Sequence, residues 1–182
     1  MRLAGATRVW TGSRHVPCRP SLASRLARAL FDRTFAVLAL VFFLPVFVVV
    51  SLAILLRDGW PVFYVHRRIG KGGRTFPCLK FRTMSRDADR ELARLLASDP
   101  EAAREWAETR KLRNDPRVSC IGRILRKTSL DELPQFLNVL AGHMSVVGPR
   151  PIVAEELERY GSHADAYLSV RPGITGLWQV SG

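Results

Sequence analysis

From Phe35 to Leu56 the chain runs 22 residues without a charge, FAVLALVFFLPVFVVVSLAILL. As a helix this stretch is about 33 Å long at roughly 1.5 Å per residue, enough for a hydrocarbon layer of about 30 Å. It is apolar all round, which does not suit a surface helix of a water-soluble domain. A cleaved signal peptide fits poorly, because the Arg-rich lead is long and no small-x-small cleavage site follows. Pro45 stands near the centre of the run. A central proline removes a backbone hydrogen bond and bends a helix. The flanks are basic on both sides, with Arg25, Arg28 and Arg33 before and Arg57, Arg67 and Arg68 after. The positive-inside rule then sets no orientation for a spanning helix. A helix broken at Pro45 that enters and leaves by the cytoplasmic face satisfies both flanks. A proline-kinked spanning anchor is the alternative.

Three segments follow from this reading. Residues 1–24 form a flexible basic arm, since Met1 to Leu30 contains six arginines and no acid. Residues 25–58 form the membrane-embedded helix pair with Pro45 as its hinge. Residues 59–182 form a soluble domain, and 182 residues suit one domain with an appendage. A net charge of +12 calls for acidic partners: anionic lipid, nucleic acid or phosphorylated small molecules. Of the 28 basic residues only Lys71, Lys80, Lys111 and Lys127 are lysine, so guanidinium chemistry dominates. Cys18, Cys78 and Cys120 are odd in number and far apart, which points to a reducing compartment without disulfides. The four histidines, His15 among them, show no zinc spacing.

In the soluble part, Pro61–Val65 and Thr75–Met84 read as strands of a hairpin around Gly70-Lys71-Gly72-Gly73. Lys80 and Arg82 then share a strand face, where two cations want an anion between them; the plain alternative is a solvated basic strand. Ser85 to Leu112 reads as two polar helices broken at Asp99-Pro100, a solvated pair at the domain edge, with Trp106 free to rest at a bilayer interface. Val118 to Leu125 leads into Arg126-Lys127 and then Ser129-Leu130-Asp131-Glu132-Leu133-Pro134-Gln135. Ser129 followed by Glu132 is a capping box. A helix starts there, or slightly later with Asp131 as its cap. Either version puts Asp131 at a helix N-terminus, which favours an ionised carboxylate. Such a group suits a nucleophile or metal ligand, although the same residues also cap a helix with no chemistry at all. Gln135 lies one turn beyond Asp131 on the same face. Leu133, Leu137 and Leu140, with Phe136, give that helix an apolar stripe, and Gly142 ends it. Met144–Val147 reads as a strand, residues 153–161 as a short acidic helix, and Gly176–Val180 as a last strand. Pro149 and Pro151 stiffen the backbone around Arg150, and Arg171-Pro172-Gly173 is a rigid turn.

Taken together, the helix broken at Pro45, KFRTM at 80–84, NDPRV at 114–118, RKTSLDELPQ at 126–135, SVVGPRP at 145–151 and VRPGITGLWQVSG at 170–182 resemble the bacterial sugar transferase family, the monotopic polyprenyl-phosphate phosphoglycosyl transferases. The resemblance covers about Leu26 to Gly182. It implies an α+β fold, with a small cytoplasmic catalytic domain of helices and short strands behind a re-entrant membrane hairpin. It implies an enzyme of the bacterial inner membrane with its active site on the cytoplasmic face. Its partners would be a UDP-sugar, polyprenyl (undecaprenyl) phosphate and membrane lipid, with Mg2+ as cofactor; self-association into a homo-oligomer is left open. Sugar-1-phosphate would pass to the lipid with release of UMP, as the first membrane step of an exopolysaccharide or related glycoconjugate. By motif, Asp131 is the nucleophile and Glu132 its partner, both at the metal. Lys80, Arg82, Arg126 and Arg150 fall where the family gathers phosphate, and Gln135, Pro149 and Arg171 support them. The family usually continues past the last motif, so a C-terminal truncation is expected. The rival readings are a membrane-anchored interaction protein without catalysis and a nucleic-acid binder. The first leaves the carboxylate pair and GPRP motif as accidents. The second lacks any recognised module.

Overall fold

The computed structural model describes residues 21–109 and 111–176. Residues 1–20 of the expected arm, His15 and Cys18 among them, Arg110 and the last six residues lie outside the described residues, and the end of that arm, Leu22–Ser24, already belongs to the first helix. Ser21 opens the first helix: its hydroxyl accepts from the Ser24 N–H at 3.2 Å, and α1 runs Leu22–Phe42. Phe43 interrupts the run, and α2 follows as Leu44–Arg57, bent 60° from α1. The break expected at Pro45 thus falls two residues earlier. Pro45 sits in the first turn of α2, where a backbone N–H would lack a helical partner anyway. No single helix among the described residues is long and apolar enough to cross a membrane, whereas the bent pair reaches that length and composition together. One side of the pair is exposed and apolar, including Leu38, Val41, Phe42, Val49 and Leu56. The other side buries Ala36, Ala39, Val50 and Ile54 in the same core as Val62, Phe76, Phe81, Leu125, Phe136 and Val139. The small alanines let α1 lie close to what it covers.

The expected hairpin forms. β1 (Phe63–Ile69) and β2 (Thr75–Phe81) pair antiparallel, with Phe63 opposite Phe81 and Ile69 opposite Thr75. The second strand ends at Phe81, three residues short of the expectation. Two helices follow, α3 (Ala88–Ser98) and α4 (Pro100–Thr109), broken where Asp99-Pro100 predicts. Asp99 caps α4 by accepting the Glu101 and Ala102 N–H groups at 2.9 and 3.2 Å. The Arg117 guanidinium lies 5.2 Å above the Trp106 ring. Arg117 in turn donates from Nε and Nη2 to the two Asp115 oxygens, each at 2.7 Å.

This pair supports a stability prediction. Its side chains are only 8% and 10% exposed. Burial alone would raise the Asp115 carboxyl, but the two-pronged bond to Arg117 outweighs it and holds Asp115 below its ordinary value. Removing one partner of a buried pair strands the other, at a cost of about 3 kcal/mol. Asp115→Ala should therefore lower unfolding stability by about that amount at neutral pH. A depressed carboxylate stabilises above its unfolded pKa, and that contribution is lost as pH falls through the folded value. The gap between wild type and variant in urea titrations should accordingly close in acid. A gap independent of pH would refute the assignment.

The connector into Arg126-Lys127 is itself helical. α5 spans Cys120–Thr128, capped by the Ser119 hydroxyl accepting from Gly122 N at 2.9 Å. It ends at Ser129, which adopts φ 57°, the one non-glycine residue in the left-handed region among the described residues. Ser129 therefore closes one helix and does not cap the next. Leu130–Glu132 forms a single 3-10 turn, and α6 begins only at Gln135 and runs to Leu140. The expected apolar stripe is also redrawn. Leu137 is exposed, while Leu133, Phe136 and Val139 are buried together with the polar Gln135 and Asn138. Asn138 acts as a side-chain extension of the hairpin: it accepts from Leu79 N at 2.9 Å and donates to Pro77 O at 2.6 Å. Gly142, with φ 76°, follows the helix end as expected.

Two short strands, β3 (Ser145–Val147) and β4 (Gly173–Thr175), pair in parallel. The strand expected at Gly176–Val180 lies, apart from Gly176, outside the described residues. Between them come α7 (Ala154–Leu157), a 3-10 stretch at Glu158–His163 and α8 (Ala164–Ser169). A small second core of Ile69, Ile152 and Tyr167 fastens this excursion to β1. The Tyr167 hydroxyl donates to Ile69 O at 2.9 Å and accepts from Ile152 N at 3.3 Å. The molecule is α+β, as the sequence indicates.

Candidate active site

The alternation of a strand puts Cys78 and Lys80 on one face of β2, and the antiparallel register brings Arg68 of β1 to that face, opposite Phe76. These three form one wall of an open cavity of about 230 Å³. Glu132 and Gln135 form a second wall, and Arg150, Pro151, Gly173 and Ile174 a third. Burial pushes the Cys78 thiol up, so it stays protonated at neutral pH and contributes a small apolar surface.

Lys80 organises the carboxylates. Its Nζ lies 2.6 Å from Glu132 Oε1 and 3.8 Å from Asp131 Oδ2. Glu132 is about one-third exposed at the cavity, whereas the Asp131 side chain is only 13% exposed and sits beside Lys80 behind the cavity wall. Burial pushes the Asp131 carboxyl up, Lys80 pulls it down, Glu132 pushes it up and Arg126 pulls it down; the net direction is upward. The cations that favour its ionised form are thus side chains, where a helix N-terminus was expected. Gln135 is 1% exposed and its Oε1 has no hydrogen-bond partner among the described residues.

The expected phosphate ligands divide. Lys80 and Arg150 face the same cavity. Arg82 does not join them: the strand ends at Phe81, and Arg82 turns inward to donate from Nη2 to the Asp58 and Gly59 carbonyls at 2.7 and 2.6 Å. It thereby neutralises the C-terminal end of α2. Arg126 is exposed and donates to the Thr83 hydroxyl at 2.9 Å; its charge reaches Asp131, but it does not line the cavity. Arg171 is exposed and off the cavity, while Pro149 accepts from Gly173 N at 2.8 Å. Arg68, unassigned from the sequence, donates to Pro151 O at 3.4 Å and lies 3.8 Å from Glu156. The period-two alternation that singled out Lys80 would have found it, had the hairpin register been known.

Backbone contact fixes the Arg150 wall. A Cβ on Gly173 would overlap the Gly148 amide, and a Cβ on Gly148 would come 2.5 Å from Arg171 O. Both loops need glycine to approach this closely. Gly173→Ala should force them apart, cost about 3 kcal/mol and displace Arg150. Thermal melts and transfer assays on the same preparation check this; an unchanged melting temperature would contradict it.

Glu132, Lys80 and two arginines thus line one cavity, with Asp131 beside Lys80 behind its wall. The chain belongs to the bacterial sugar transferase family, whose model matches residues 23–182, and it is accordingly a transferase. It is 54% identical over 157 residues to the exopolysaccharide production protein ExoY of Sinorhizobium fredii, covering 86% of this chain and 70% of that protein. It is 50% identical over 160 residues to the undecaprenyl-phosphate galactose phosphotransferase of Salmonella typhimurium, covering 88% of this chain and 33% of the relative. A third relative, the UDP-glucose:undecaprenyl-phosphate glucose-1-phosphate transferase of Escherichia coli, is 38% identical over 87% of this chain and 32% of its own length.

Proposed function

We propose that the protein transfers a sugar-1-phosphate from a UDP-sugar to a polyprenyl phosphate such as undecaprenyl phosphate, releasing UMP. The observation that carries this reading is Lys80, which faces one cavity with Glu132, Arg68 and Arg150 and whose ammonium lies 3.8 Å from the Asp131 carboxylate behind the wall. Cations so placed neutralise a diphosphate and make its phosphorus electrophilic. In the first step an Asp131 oxygen attacks the sugar-bearing phosphorus, and the bridging P–O bond breaks with its electrons leaving on UMP. In the second, a polyprenyl phosphate oxygen attacks the same phosphorus. The acyl phosphate P–O bond breaks and Asp131 returns as a carboxylate. The product is a polyprenyl diphosphate sugar.

Magnesium fits this donor set. Asp131 and Glu132 offer hard oxygens, and no group of three or more metal-ligating side chains occurs among the described residues. Magnesium accepts one or two carboxylates with substrate phosphates and water completing its shell. Those two residues would hold it, and it would supply further neutralisation of the diphosphate. Glu132, hydrogen-bonded to Lys80, otherwise orients that lysine.

The exposed apolar side of α1 and α2 is proposed to lie in the inner membrane, re-entrant from the cytoplasmic face, so that lipid tail and phosphate head meet at the cavity. Single cysteines at Arg28 and Arg67 should both resist impermeant reagents applied outside intact spheroplasts. Labelling of one end only would show a spanning helix. The reaction itself is tested by incubating membranes with a panel of UDP-sugars and measuring UMP. Absence of UMP with every sugar, in protein shown to be folded, would refute it.

A further inference from the structure

Asp32 is the one acidic residue of α1, and it is 3% exposed. No ion pair to Lys, Arg or His reaches it among the described residues. Among the described residues its carboxylate takes its hydrogen bonds from β3 alone. The Ser145 hydroxyl lies 2.9 Å from both oxygens, and Val146 N donates to Oδ1 at 2.9 Å. A buried carboxylate is costly unless such donors are supplied, so this contact fixes the register of α1 on β3 more sharply than apolar packing would.

β3 is also the strand from which two cavity segments take their position. Its opposite edge binds the segment through β4, with Ser145 N donating to Pro172 O and Gly148 N to Thr175 O, both at 2.9 Å. Gly173 N returns a bond to Pro149 O at 2.8 Å. Arg150 and Pro151 follow β3 after Gly148 and Pro149, and Gly173 and Ile174 lie on β4; all four line the cavity. We infer that Asp32 is a positioning residue: it ties the apolar helix to the Arg150 wall, so that the seat of α1 sets where the arginine meets phosphate. Glu132 and Lys80, on the other two walls, make no hydrogen bond or ion pair to α1 among the described residues. The inference rests on the proposed phosphate-transfer site for its catalytic consequence only, since the mechanical link stands on the contacts themselves.

The test uses the full-length protein in lipid nanodiscs, with Asp32→Ala, Ser145→Ala, Arg150→Ala and the Asp32→Ala/Arg150→Ala double variant. In Asp32→Ala the Gly148 and Gly173 amides should exchange hydrogen faster, while the Gly70 amide at the hairpin turn, bonded to Arg74 O, should not. Losing hydrogen bonds to a charged group should lower kcat/KM for UDP-sugar on the order of a hundredfold. The double variant should lose little beyond Arg150→Ala, because both changes remove one contact. Ser145→Ala keeps the Val146 bond and should show a smaller loss with the same pattern. It serves in place of Asp32→Ala should that chain not fold. Unchanged exchange at Gly148 and Gly173, or losses that multiply in the double variant, would overturn the inference. Faster exchange at those amides in Asp32→Ala, alongside a wild type devoid of transfer, would uphold the link and refute the proposed reaction instead.

Discussion

Asp131→Asn should abolish transfer while leaving the protein folded and membrane-bound. The substitution keeps shape and removes the charge proposed to attack phosphorus. Lys80 keeps its 2.6 Å partner Glu132, so the cavity wall should persist. Burial already pushes the Asp131 carboxyl up, which means the ionised form is held at some cost to folding. Removing that charge should leave the melting temperature unchanged or raise it, the usual trade between a functional group and stability. Loss of a nucleophile should reduce turnover by about 10⁴-fold or more. UMP release assays and thermal melts on one preparation decide the matter. Substantial residual turnover would move the nucleophile elsewhere, and loss of folding would make Asp131 a structural residue.

Arg150→Lys should be nearly as damaging. Arg150 faces the cavity between two prolines whose carbonyls are both engaged, Pro149 with Gly173 N and Pro151 with Arg68. The backbone is pinned on either side, so little freedom is lost when the guanidinium binds. Lysine keeps the charge but not the planar fork that grips a phosphate in two places. A loss of about a hundredfold in kcat is expected, the scale seen when one preorganised donor is removed. Arg90→Lys, on the exposed face of α3, should change the rate little. Equal losses at both positions would mean that bulk charge suffices.

Local signals account for what could be read in advance. Gly70 to Gly73 with alternating flanks announced the hairpin, and Asp99-Pro100 announced the break between α3 and α4. Lys80, Glu132, Gln135 and Arg150 meet at one cavity. Signals that depend on distant packing misled or stayed silent. Ser129 and Glu132 match a capping box, yet α5 needed a left-handed residue to stop against the 3-10 turn, and Ser129 took that part. Alternation put Arg82 beside Lys80, but the strand closes at Phe81 and the carbonyl end of α2 claims the guanidinium. Arg68 required the hairpin register, and Asp32 meets Ser145 across 113 residues of chain, beyond any periodicity. Pro45 marked a real break but not its position, because proline starts a helix more readily than it interrupts one.

The central claim is a phosphosugar carried on Asp131. Full-length enzyme mixed with its UDP-sugar, magnesium and no lipid acceptor should release UMP once, in proportion to enzyme. Mass spectrometry should then find one modified peptide, containing Asp131, which returns to its unmodified mass when polyprenyl phosphate is added. If the enzyme turns over normally with acceptor, yet releases no UMP and shows no modified peptide without it, the covalent route is wrong and the lipid phosphate attacks the donor directly.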